Sequence, residues 1–221
     1  MTQVNSADIS SSDPRLAPYL ANPFLLCHSD PLRFIRTGWP EIRLYDKQVE
    51  VIESVRDNDW TIVPAGNDLG KDFIAALTAL WFFCSRTPAF VVTSSVDGSQ
   101  LEAVLWGEMR KFIRTCQYKL PIQENHLLIR QVIGGQLEPQ SRLEGRVVRV
   151  GEGLLGRHIP KRGPLFLPMT LVIFDECSAV DDICFETSDT WAHRGLVIGN
   201  PYPCENFFRR FVEAGDVVRE I

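Results

Sequence analysis

No stretch of this 221-residue chain is apolar enough to cross a bilayer. The longest apolar run, Phe73 to Cys84, is interrupted by Thr78. It covers about 12 residues, against the roughly 20 that a spanning helix needs. A basic segment followed by an apolar one is also missing from the N-terminus, MTQVNSADISSSDP, so a secretion signal is not expected and a cytosolic chain is. Positive charge is in short supply: 23 Lys and Arg stand against 28 Asp and Glu, a net charge of −5. That excludes a small histone-like DNA binder, but not an enzyme or motor that touches DNA through a few local residues. Cysteines at metal-binding spacing are lacking. Cys27, Cys84, Cys116, Cys177, Cys184 and Cys204 form no CxxC pair and read as reduced thiols, mostly core fillers. His28, His126, His158 and His193 show no i, i+4 pair, which leaves them without a ligand pattern. Repeats and low-complexity tracts are absent too. With 45% hydrophobic and 23% charged residues, the composition is that of one large globular domain, or one domain with a short arm.

What is present alternates between two periods. Residues 1–40 read as an arm. Pro14, Pro18, Pro23, Pro31 and Pro40 keep interrupting any helix, and a loosely packed lead-in is expected there. A single domain then occupies 41–221. Tyr45, Val49 and Ile52 recur at helical spacing between Leu44 and Arg56. WTIVP (60–64) reads as a buried strand, AGNDLGKD (65–72) as a loop, and Phe73–Cys84 as a buried helix. AFVVTSS (89–95) is a second strand, followed by a helix from about Ser99 to Arg114. HLLIRQVI (126–133) and RVVRV (146–150) read as strands, with a Gly/Pro-rich region between Gly134 and Pro168. TLVIFDE (170–176), GLVIGNP (195–201) and the short helix NFFRRFV (206–212) close the pattern. Continuous apolar strands alternating with helices predict an α/β fold with a central, mostly parallel sheet covered on both faces. In such sheets ligands gather at the carboxyl ends of strands. The loops 65–72, 175–178 and 199–201 all fall there.

The first of these loops carries chemistry. Ala65-Gly66-Asn67-Asp68-Leu69-Gly70-Lys71-Asp72 follows the phosphate-loop pattern GxxxxGK[ST], with Ala65 at the first position and Asp72 at the last. Backbone N–H groups of such a loop, with the N-terminus of the next helix, face a phosphate. Lys71 would reach the β and γ phosphates. Asp72 reads in two ways: as a carboxylate ligand of Mg²⁺, direct or through water, or as an ordinary acidic residue at a helix start. The second loop opens with Asp175-Glu176 on the end of TLVIF. A strand closing with two carboxylates beside a lysine-bearing loop suits a cation. Asp175 would hold Mg²⁺ and Glu176 would polarise an attacking water. The alternative is a solvated strand end. Gln48 reads as an adenine-sensing amide or an exposed helical Gln. Thr93-Ser94-Ser95 and Gln100 are either phosphate or DNA contacts or part of a helix cap. Asn200, in Gly199-Asn200-Pro201, reads as a γ-phosphate sensor or a tight turn. Arg157, Arg162 and Arg194 are placed in loops near the nucleotide edge, one of them a candidate arginine finger.

Taken in order, these segments resemble the ATPase domain of phage terminase large subunits. LYDKQVEVIESV is similar to the adenine-motif helix carrying Gln48, and AGNDLGKDF to the family's deviant Walker A. LVIFDECSAVDD resembles its Walker B, and LVIGNPYPCENFFRRF its coupling segment. The resemblance implies a three-layer P-loop NTPase domain of the RecA-like kind. It implies ATP and Mg²⁺ as cofactors, with Ala65 to Asp72, Gln48 and Asn200 around the nucleotide, Asp175 and Asp72 at the metal, and Lys71 and Glu176 in catalysis. ATP hydrolysis would drive double-stranded DNA into a procapsid. The implied partners are DNA, a portal protein, a small terminase subunit and further copies of the chain, in the host cytoplasm and transiently at the portal, with no membrane. The chain departs from the family at Asp72, where Ser or Thr is usual, and at Asn67 and Asp68, where the loop arginine is missing. The family's metal-dependent nuclease domain lies outside the 221 residues, so a truncated subunit is expected. Two other readings share the same core: a helicase-like ATPase acting on nucleic acid, and an inactive nucleotide-binding remnant.

Overall fold

A computed structural model describes residues 22–66, 69–148, 154, 169–200 and 204–215. After a 3-10 turn (Pro23–Cys27) come α1 (Pro31–Gly38), α2 (Asp46–Asp57), β1 (Trp60–Pro64), α3 (Lys71–Cys84) and β2 (Phe90–Ser95). Helix α4 runs in three stretches: Gly98–Gln100, a π segment Leu101–Leu105, and Trp106–Thr115. Strands β3 (Ile122–Asn125), β4 (Leu128–Ile133), β5 (Gln136–Val147) and β6 (Thr170–Phe174) follow. Then come α5 (Asp182–Asp189), β7 (Arg194–Gly199) and α6 (Phe207–Ala214). Among the described residues no helix is long and apolar enough to cross a membrane.

The seven strands form one sheet in the order β1-β7-β6-β2-β5-β4-β3. The pairs β1/β7, β7/β6, β6/β2 and β2/β5 are parallel, and β5/β4 and β4/β3 are antiparallel. The parallel strands are apolar on both faces because both faces are covered. Val63, Val91, Leu171, Ile173, Leu196 and Ile198 face the layer that contains α1 to α4. Ile62, Phe90, Val92, Val172, Phe174 and Val197 face Cys184, Trp191, Phe207 and Phe208 on the other side. The strand period of two thus feeds two cores, giving the three layers that the sequence predicts.

Residues 22–39 differ from the loose lead-in expected of them. Phe24, Phe34 and Trp39 are fully buried in the main core. Pro31 begins a helix instead of breaking one. Its fixed φ suits the first helical position, and the Asp30 carboxylate caps the turn by accepting from the Arg33 N–H at 2.8 Å. Trp81 Nε1 donates to the Cys27 carbonyl at 2.8 Å, Trp39 Nε1 to the Phe112 carbonyl at 3.1 Å, and Asn22 Nδ2 to the Cys84 carbonyl at 3.2 Å. These bonds satisfy two indole donors that burial would otherwise strand and tie the segment to α3 and α4.

The region from Gly134 onward also differs. Residues 136–147 form a 12-residue strand, β5, in place of the expected Gly/Pro-rich connection. Its polar content follows from its place: it turns the sheet from parallel to antiparallel beside an edge hairpin. The expected strand 146–150 overlaps the end of β5 at Arg146 and Val147, and 149–150 lie outside the described residues.

Candidate nucleotide and cation site

The carboxyl ends of β1, β2, β6 and β7 lie along one edge of the sheet, since all four run parallel. The phosphate-type loop leaves β1 there. The Ala65 N–H donates to the Gly199 carbonyl at 2.9 Å, so the loop starts against the end of β7. Gly66 and Leu69 continue it; Asn67 and Asp68 lie outside the described residues. Gly70 has φ +71, a conformation that a side chain disfavours, and it turns the chain directly into α3. A Cβ at Gly70 would also sit 2.9 Å from Gln48 Nε2. The buried Gln48 therefore lies against the loop, not on an exposed helix face. Tyr45, just before α2, donates its hydroxyl to the Leu69 carbonyl and ties that helix to the loop. In the sequence Tyr45 is only a mark of helical spacing.

Lys71, the first residue of α3, is buried. Its Nζ donates to Glu176 Oε1 at 3.0 Å. Burial works against the Lys71 charge, but the Glu176 hydrogen bond and charge, with Asp175 and Asp72 behind them, hold its pKa above the usual value. Across the gap β6 ends at Phe174. The Asp175 N–H donates to the Ser94 carbonyl at 2.9 Å, which continues the β2–β6 ladder one step past the strand. Asp175 is 2% exposed. Its Oδ1 accepts from the Glu176 N–H at 2.9 Å, and its buried Oδ2 has no hydrogen-bond partner. Burial first, then the charges of Asp72 and Glu176, push its pKa up to about 7 against the pull of Lys71 and the Glu176 N–H. Asp72, half-buried in the first turn of α3, is also raised, by burial first, with Lys71 opposing. Glu176 has φ 55, left-handed for a residue with a side chain. That conformation costs about 1–3 kcal/mol and clusters at functional positions. It is steadied by Gln100, at the start of α4, whose Nε2 donates to Glu176 Oε1 at 3.1 Å. The sequence places Gln100 at a helix start but holds no signal for this pairing.

The third loop joins the same edge. Asn200 follows β7 and is largely buried. A Cβ at Gly199 would meet the Cys177 backbone N and the Phe208 ring at 3.1 Å, so the end of β7 passes close to the turn after Glu176. Asn206 Nδ2 donates to the Cys177 and Val180 carbonyls, each at 2.8 Å, and ties α6 to that turn. Two placements differ from expectation. Arg194 sits at the amino end of β7, on the opposite edge, where its Nη1 is 2.7 Å from Asp59. The direction of β7 puts it there: the strand must end, not start, at the site. Thr93 turns inward, accepting from Trp106 Nε1 at 2.9 Å, and the cap of α4 comes from Asp97. Arg157, Arg162 and Pro201 lie outside the described residues.

Among the described residues no three His, Cys, Asp or Glu side chains converge into a self-sufficient metal cage. Mg²⁺ does not need one: it keeps several waters and takes one or two carboxylates together with substrate phosphates. The buried, unpartnered Oδ2 of Asp175 fits that demand.

No family model matches the sequence, and no curated protein resembles it closely enough to count as a match. Solved structures do. The Thermus phage P74-26 large terminase ATPase domain aligns with a TM-score of 0.62 at 17% identity, covering 81% of this chain and 72% of that one. The HK97 bacteriophage large terminase gives 0.57 at 16% identity, covering 88% of this chain and 43% of its own. The large terminase of a thermophilic bacteriophage, in complex with ADP, gives 0.56 at 12% identity, covering 80% of this chain and 44% of its own. This chain thus spans less than half the length of the latter two. The α/β architecture described here is the RecA-like P-loop fold of phage large terminase ATPase domains.

Proposed function

We propose that the chain is the ATPase domain of a phage terminase large subunit, hydrolysing ATP to move double-stranded DNA into procapsids. The observation that carries this reading is the meeting of Lys71, Asp175 and Glu176 from two separate loops at one sheet edge. Loop 65–70 and the N-terminus of α3 would take the phosphates, and Gln48, which lies against Gly70, would read an adenine edge. Asp175, with Asp72 beside it, would hold Mg²⁺, which would neutralise charge on the phosphate oxygens. As phosphate arrives, Lys71 leaves Glu176 for the γ-phosphate. Glu176, still held by Gln100, takes a proton from the attacking water. The water oxygen bonds to the γ phosphorus, the bond to the β–γ bridging oxygen breaks, and ADP and phosphate leave. Gly199 at the end of β7 and Asn206 before α6 lie against the turn after Glu176, and Asn200, next to Gly199 in the chain, would pass on the change. The portal, a small subunit and further copies of the chain are the partners this reading assigns, in the host cytoplasm.

Phosphate release from ATP, measured with double-stranded DNA present, tests it. Turnover should be lost in Lys71→Ala and fall by at least about a hundredfold in Glu176→Gln. Wild-type turnover equal to that of both variants would refute the assignment. One observation favours a second reading: Asp72 replaces the usual hydroxyl. Nucleotide binding without turnover would support that remnant.

A further inference from the structure

We propose that Ser95 is a cation-site residue: its hydroxyl supplies the neutral oxygen donor that Asp72 displaces from the phosphate loop. The proposal rests on the nucleotide reading above. Ser95 ends β2 and is fully buried, yet its Oγ has no hydrogen-bond partner. Its neighbours use theirs. Thr93 Oγ1 donates to the Glu144 carbonyl and accepts from Trp106, and Ser94 Oγ donates to the Ile173 carbonyl. A buried hydroxyl left over in this way costs stability, and such groups ask for a ligand.

Its position names the ligand. Ser94 pairs with Phe174, so Ser95 stands beside Asp175 on the adjacent strand. Strand alternation puts Val91, Thr93 and Ser95 on one face and Leu171, Ile173 and Asp175 on the same one, toward α3. The two unpartnered oxygens, Ser95 Oγ and Asp175 Oδ2, therefore end neighbouring strands on the face that carries Lys71 and Asp72. Asp72, Asp175 and Glu176 already bring three mutually repelling carboxylates to the surroundings of Lys71. A fourth acid would worsen that, whereas a neutral hydroxyl completes the oxygen set of Mg²⁺, directly or through a bound water, without adding charge.

Calorimetric titration of ADP into the 221-residue chain, with Mg²⁺ and with EDTA, tests this. Ser95→Ala should weaken the Mg²⁺-dependent part of ADP binding about tenfold. Binding in EDTA should stay as in wild type, the thermal midpoint without ligand should not fall, and Ser95→Thr should restore the Mg²⁺ effect. If the alanine variant keeps the full Mg²⁺ effect, or loses ADP equally with and without Mg²⁺, Ser95 is no part of a cation site. If wild type itself binds no ADP, the nucleotide reading fails and this proposal with it. Failure of the Ser95 proposal alone leaves Mg²⁺-dependent binding in wild type intact.

Discussion

Asp175 is a buried acid whose folded pKa, about 7, stands well above the 3.8 of an exposed aspartate. The sign of the consequence follows from proton counting. Between about pH 4 and 7 the folded chain holds a proton that the unfolded chain has released, so this group costs stability progressively as pH rises through that window. The full cost is of order a few kcal/mol. Asp175→Asn should flatten that part of the stability–pH profile in urea titrations, and an unchanged profile would show that the carboxyl does not titrate as described. The same proton opposes a cation, so Mg²⁺-dependent nucleotide binding should strengthen as pH rises through about 7. Gln100 acts through Glu176. Gln100→Ala should lower kcat several-fold with little change in KM, and Gln100→Glu, which places a second acid against Glu176, should do worse. Equal loss in kcat and binding would reduce Gln100 to packing.

At the scale of elements, the N-terminal segment contributes to the core. Phe34 on α1 packs against Phe24 at 4.9 Å and Trp39 at 5.6 Å between ring centroids. Phe34→Ala should cost about 3–5 kcal/mol, measured by denaturant unfolding. A loosely packed arm would give a value near zero. The strands of the site are readable because WTIVP, FVVTSS, TLVIF and LVIG are continuous apolar runs, which parallel sheets buried on both faces demand. Helix α1 is hidden by prolines, although one of them starts it. Strand β5 is hidden by its polar residues, which suit its place between the parallel strands and the antiparallel edge hairpin. Of the site, Lys71, Asp175 and Glu176 are legible because each sits at a fixed offset from an apolar strand. The roles of Gln100, Tyr45 and Ser95 are not. They arise from contacts between elements distant in sequence, on which local spacing is silent. Arg194 is misplaced for a different reason: it directly precedes the strand read at 195–201, which already puts it at the amino end, away from the site.

At the scale of the whole molecule, one sheet edge gathers the phosphate-type loop, the acidic pair and Asn200, while α6 is stitched to the turn between them. The Lys71–Glu176 pair is the latch of this edge. In the proposed reaction phosphate and Glu176 would compete for the same ammonium group, with Mg²⁺ easing the crowding of carboxylates. An equilibrium titration of ATP into the purified chain, with and without Mg²⁺ and with Lys71→Ala beside it, tests that claim most directly. Mg²⁺-dependent binding that disappears in Lys71→Ala is the predicted result. Absence of binding by the wild-type chain at millimolar ATP, or equal binding by both proteins, would contradict it.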